Sequence, residues 1–186
     1  MKKLFALLLT LALLLGCCAA LAETAAKTEI GTVNMNGAFK LQCSLPENYT
    51  IEITSKDNDG MLAVISTEDI TKPMMFLAIE FDEIYYDVKR MNDMSEDQLL
   101  EIIDTFTNEG DEVLVSYRET SHGTKLMIVR EALDTVDYVS IISVYEGYMI
   151  EFDMLAGDGA EEGLSEAQIQ MCIDFLSDLD FIPEEA

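Results

Sequence analysis

The residues in this sequence best suited to chemistry are acidic. Glu80 and Asp82 stand two apart, as do Glu151 and Asp153, in stretches where apolar and polar residues alternate. In an extended chain that spacing puts both carboxylates of a pair on one face of a strand. If the two strands are neighbours, the pairs make a weak oxygen-ligand site. Calcium takes roughly six to eight oxygens, and such a site supplies only part of that shell. The default for charges of this kind is a solvated strand face. Hydrolases that use carboxylates hold them in pairs across a cleft, so a secreted carboxylate-dependent hydrolase is the enzymatic alternative.

Other constellations point to no reaction. His122 is the sole histidine and lies between Ser121 and Gly123, a turn composition. A Ser-His-Asp triad needs a histidine oriented in a cleft by an acid, so a solvated turn residue is the expectation. Ser55 to Gly60 imitates the start of a calcium loop. That loop needs Asp first and Glu twelfth, where this chain has Ser55 and Ser66, and an ordinary turn is expected. Cys43 and Cys172 have no zinc spacing with a single histidine. Each falls on an apolar face, so both read as buried thiols, and they are the candidates for a disulfide if strand and helix bring them together. The methionines read as core filling, and no glycine-rich phosphate loop is present. No catalytic residue and no cofactor is assigned.

The positioning elements follow from periodicity. Phe39, Leu41, Cys43 and Leu45 alternate with polar residues, as expected of a half-buried strand. Further strands are expected around Ile51 and Ile53, from Met61 to Ser66 and from Met74 to Asp82, with a turn at Asp57 to Gly60. Residues 83–94 have no clear period. Leu99, Ile102, Ile103 and Phe106 then recur at helical spacing behind Ser95-Glu96-Asp97-Gln98, a capping box, with Gly110 as a stop. Four more strands are expected at Glu112 to Glu119, Thr124 to Ala132, Val136 to Tyr145 and Tyr148 to Leu155. After a polar loop, Ser165-Glu166-Ala167-Gln168 is a second capping box. Its helix turns Ile169, Cys172, Leu176 and Leu179 inward and is followed by Pro183. Strands, helix, strands, helix, with short connections between strands, predict an α+β fold: an antiparallel sheet with two helices packed on it.

Leu45-Pro46-Glu47-Asn48-Tyr49 resembles the L-P-x-x-aromatic step near the start of PsbP-like domains, with Tyr49 where a tryptophan is common. The order of the following elements is similar too. The resemblance implies that fold and a non-catalytic accessory role, and it carries over no functional residue.

Lys2 and Lys3, the apolar run Leu4 to Leu15 and the small residues ending Ala20-Leu21-Ala22 have the three parts of a secretory signal. The run is too short to span a bilayer core of ~30 Å. Cleavage after Ala22 is favoured. The alternative is lipidation at Cys17, because Leu14-Leu15-Gly16-Cys17 resembles a bacterial lipobox. The expected organisation is a signal peptide at 1–22, a flexible lead at 23–37 and one α+β domain at 38–186, outside the cytoplasmic membrane of a bacterial cell envelope.

All 36 acidic residues but only nine of the 11 basic ones follow Ala22, so the formal charge there is 9 − 36 = −27. Such a charge disfavours nucleic acid, and it disfavours anionic lipid surfaces unless Cys17 is lipidated. With 49% hydrophobic residues the chain nonetheless has the means to build a core. The expected function is an exported, non-catalytic binding or accessory domain with a protein or small ligand as partner. The alternatives are the hydrolase and a structural envelope component.

Overall fold

The computed structural model describes residues 27–33, 39–57, 59–107, 112–133, 136–158 and 163–183. The expected signal peptide with Cys17, part of the lead, Gly110, and the turn at Asp134 and Thr135 lie outside these residues. The fold is α+β, with antiparallel sheets and two helices.

Seven strands form the main sheet: β3 (Thr50–Lys56), β4 (Gly60–Ser66), β5 (Met74–Phe81), β6 (Val113–Glu119), β7 (Lys125–Glu131), β8 (Tyr138–Tyr145) and β9 (Tyr148–Leu155). Their order across the sheet is β3-β4-β5-β9-β8-β7-β6, antiparallel throughout. Two meanders, β3 to β5 and β6 to β9, thus join edge to edge where β5 pairs with β9. The β8–β9 hairpin turns at Glu146 and Gly147, both at positive φ (49° and 83°), as a two-residue turn matched to the twist of the strands requires.

The two faces of this sheet are covered unequally. On one face Ile65, Leu77, Ile79, Ile141, Ile150 and Phe152 point into the larger core. That core is closed by α2 (Glu166–Ser177) and by a second sheet of three strands, β1 (Thr28–Val33), β2 (Phe39–Cys43) and β10 (Asp180–Pro183), in the order β1-β2-β10. Ile169, Cys172, Ile173, Phe175 and Leu176 form the buried stripe of α2. Burying such a side chain contributes roughly 1.5–3 kcal/mol. On the other face Met127, Val129, Ile142 and Val144 pack against α1 (Glu96–Thr105) and the segment before it. That segment, without a period in sequence, holds two 3-10 turns, Glu83–Tyr85 and Met91–Asp93. It buries Tyr85, Val88 and Met91, and Val88 and Lys89 accept hydrogen bonds from Gly147 and Glu146 at the β8–β9 turn. Both capping boxes form: Ser95 and Ser165 each accept from the backbone of Gln98 and Gln168, which reach back in return.

Two expectations about the chain outside the main sheet need correction. The stretch expected as a flexible lead contains β1 (Thr28–Val33), which pairs with β2 (Phe39–Cys43), so the core begins before Ala38. A bulge between Glu29 and Gly31 hides this strand from a test for alternation. It spaces the buried residues, Ile30 and Val33, three apart instead of two. Gly31 fits there because a Cβ would meet Met61 Sδ at 2.6 Å. The stretch expected as the end of the second helix instead leaves α2 at Ser177 and becomes β10 (Asp180–Pro183), which pairs with β2. Phe181 from β10 stacks on Tyr145 at 4.5 Å between ring centroids.

Candidate functional site

Among the described residues, the face of the main sheet that carries α1 extends beyond the side chains packed against α1 and its preceding segment. Strand pairing sets two rows across it. One runs Val64, Phe76, Asp153, Ser140; the next runs Leu62, Ala78, Glu151, Ile142. The rows end under α1, where Ile142 is buried. Towards β4 they leave the covered area, and Leu62 is 46% exposed. Leu62, Val64, Phe76 and Ala78 belong to neither core.

At the border between the covered and uncovered halves lies a polar cluster. The Tyr138 hydroxyl donates to Asp153 Oδ1 at 2.7 Å. Ser140 Oγ lies 2.8 Å from the same oxygen and 2.7 Å from the Tyr138 hydroxyl, so two hydroxyl hydrogens serve three contacts. Ser140 is buried and Asp153 half-buried. Glu151, one residue pair along β9, is half-buried and titrates well above the ordinary carboxyl range, at about 8. Burial is the chief cause. The charge of Asp153, a hydrogen bond shared with it and the charge of Glu80 add to it, and a hydrogen bond with Tyr138 works the other way. Burial also raises the Tyr138 phenol, with Asp153 and Glu151 adding to the rise.

The four acids picked out in the sequence therefore divide. β5 and β9 are neighbours, and Glu80, opposite Met149, is diagonal to Glu151 and acts on it. Asp82 has left the strand. Its Oδ1 accepts from the backbone of Ile84 and caps the first 3-10 turn. Among the described residues, no three or more His, Cys, Asp or Glu side chains are grouped to hold a metal ion. The solvated face expected for Glu151 and Asp153 is corrected to a half-buried one, because Tyr138 and the edge of the α1 core flank them.

Tyr138 and Ser140 were not singled out from the sequence. The signal for them was present: counting outward from the two-residue turn at Glu146-Gly147 sets Ser140 opposite Asp153.

The remaining candidates are structural. His122 sits in a turn, its Nε2 3.1 Å from Lys27 Nζ and its Nδ1 3.5 Å from Asp180 Oδ1. Lys27 also donates to the carbonyl of Asp178 at 2.8 Å, so this polar group fastens the start of β1 to the turn after α2. In the Ser55–Gly60 stretch, Asp57 Oδ1 accepts from the backbone of Asp59 and Gly60, which makes it a hairpin turn. Cys43 and Cys172 are both buried free thiols, and no disulfide joins them. Cys172 donates to Met75 Sδ at 3.6 Å. Tyr49, in the step that resembles PsbP-like domains, is buried and donates to the carbonyl of Pro73 at 2.8 Å.

Neither of two concave sites includes Glu151 or Asp153, though one adjoins the uncovered face at Leu62 and Glu80. A cavity of about 270 Å³ at the β3–β4 hairpin is lined by Asp57, Asp59, Leu62 and Glu80 among others. An open groove of about 450 Å³ runs between Pro46 and the Ala167, Met171 and Phe175 side of α2. No helix among the described residues is long and apolar enough to cross a membrane.

An α+β domain with a half-uncovered sheet face is thus the class that fold and site define. No protein-family model matches the chain, and no curated protein is significantly similar to it.

Proposed function

We propose that this protein is exported and serves as a non-catalytic binding or accessory domain at the extracytoplasmic face of a bacterial cell envelope. The observation that carries the binding reading is the uncovered half of the sheet face, where Leu62, Val64 and Phe76 stand outside both cores. Leu62 is exposed and Val64 and Phe76 beside it are half-buried, and apolar side chains grouped outside a core mark a surface for interaction. The signal-like residues 1–22 support export, and the resemblance of Leu45 to Tyr49 to PsbP-like domains supports an accessory role.

One observation favours the carboxylate hydrolase as second reading: Glu151, held protonated near neutrality, lies beside Asp153. Against it, the pair lies on a sheet face, and the cavities at the β3–β4 hairpin and beside α2 are lined by other residues.

The test is cross-linking in the parent cell's envelope, with wild type compared against Leu62→Glu, followed by an activity screen on ester, glycoside and peptide substrates. A cross-linked partner lost in the variant supports binding. Turnover abolished by Glu151→Gln and by Asp153→Asn would establish the hydrolase instead. Mass spectrometry of the exported form should show Glu23 as first residue, and a diacylglyceryl mass on a species starting at Cys17 would assign the lipoprotein.

A further inference from the structure

The uncovered face has a composition that selects among partners. Its apolar part, Leu62, Val64, Phe76 and Ala78, adjoins carboxyl groups, Glu151 and Asp153 in the same two rows and Glu80 beside them. Glu52, opposite Val64 on β3, extends the acidic border to the sheet edge. We propose that this face docks a cationic amphipathic segment of a partner protein, its apolar side chains on Leu62, Val64 and Phe76 and a lysine or arginine between Glu151 and Asp153. The proposal rests on the binding reading above and names the chemistry of the partner.

Charge complementarity decides the occupant. A second copy of this chain would set acids against acids, each copy carrying a net −27 after Ala22. Like charges brought together at an interface disfavour association. An apolar partner without a cation would bury the polar groups of Asp153 and Glu80 with no compensating charge, which is costly. A cationic segment offsets both penalties, and the protein's overall field steers it to the face.

The cluster also contains the proton that such a cation would displace. Groups on three strands act on Glu151: Asp153 on β9 itself, Glu80 on β5 and Tyr138 on β8. A cation at this spot favours the ionised carboxylate, so docking below the titration range of Glu151 releases its proton to solvent, and affinity rises with pH.

The test uses the exported form and three synthetic peptides of one apolar pattern whose polar positions are lysine, glutamine or glutamate. Binding is followed by fluorescence anisotropy at pH about 6 and about 9. The expected result is at least about tenfold tighter binding of the lysine peptide than of the glutamine one, a preference that grows with pH. It should be lost in Glu151→Gln with Asp153→Asn, and all binding should be lost in Leu62→Glu, an exposed position where the fold tolerates the change. Equal affinity for the lysine and glutamine peptides, both lost in Leu62→Glu, overturns the cationic partner and leaves the docking face standing. Binding indifferent to Leu62→Glu, or no binding of any peptide, overturns the proposal. A concentration-dependent dimer in sedimentation, dispersed by Leu62→Glu, overturns it in favour of a second copy.

Discussion

Tyr138 and Asp153 meet across the β8–β9 hairpin with the phenol hydroxyl 2.7 Å from Oδ1, one residue pair from Glu151. Two carboxyl groups share the strand there, and burial together with the charge of Asp153 holds the proton on Glu151, against a hydrogen bond from Tyr138 that works the other way.

Glu151 should therefore give stability an unusual pH dependence. Its folded value of about 8 lies above the ordinary 4.5. A carboxyl group raised in this way stabilises the fold fully below its unfolded value and loses that contribution as pH rises through the folded one. Because the group is partly exposed, the loss is discounted to about 1–2 kcal/mol. Thermal melting from pH about 5 to about 9 should show it, and Glu151→Gln should flatten the curve and melt higher than wild type at the alkaline end. Parallel curves for the two proteins would refute it.

Phe181 should carry much of the attachment of β10. The ring is buried, stacks on Tyr145 at 4.5 Å and lies 5.9 Å from Phe39. Phe181→Ala should destabilise the domain by about 3 kcal/mol in urea unfolding. A loss below about 1 kcal/mol would mean that the strand is dispensable.

The two cysteines should be inert in the native protein. Burial pushes the thiols of Cys43 and Cys172 up to about 12, so the reactive thiolate is scarce at neutral pH. In a protein starting at Glu23, Ellman's reagent should detect both thiols only after denaturation. Rapid reaction of either in the folded state would contradict the burial.

Added salt should stabilise the domain without regard to the cation. The −27 charge after Ala22 repels itself in the compact state, and at physiological ionic strength a Debye length of ~8 Å screens part of that repulsion. Sodium chloride and calcium chloride at matched ionic strength should raise the melting temperature equally. A far larger gain from calcium, abolished by Asp153→Asn, would reveal a metal site on β9.

Local signals in this sequence are legible and distant ones are not. Ser95 with Gln98 and Ser165 with Gln168 announce their helices because a capping box is complete within four residues. The hairpin at Glu146-Gly147 likewise fixes its own register. The pairing of β5 with β9 joins residues some seventy positions apart, and nothing local encodes it. That pairing brings Glu80 to Glu151, while the strand ends at Phe81 and leaves Asp82 to cap the next turn, so half of the candidate site depends on tertiary structure. β1 is illegible in the sequence for a different reason: its bulge breaks the alternation that marks a strand.

The middle position of β2 between β1 and β10 has a kinetic consequence. Phe39 and Leu41 emerge early in synthesis, yet one of their two strand partners, Asp180–Pro183, is made some 140 residues later. An N-to-C emerging chain cannot seal its larger core until that last strand arrives, and non-local closure of this kind is slow. The topology itself thus keeps the emerging chain unsealed until synthesis of the domain is nearly finished. Moving β10 ahead of β1 by circular permutation should speed refolding, and the difference in refolding rate between the two connectivities measures that delay.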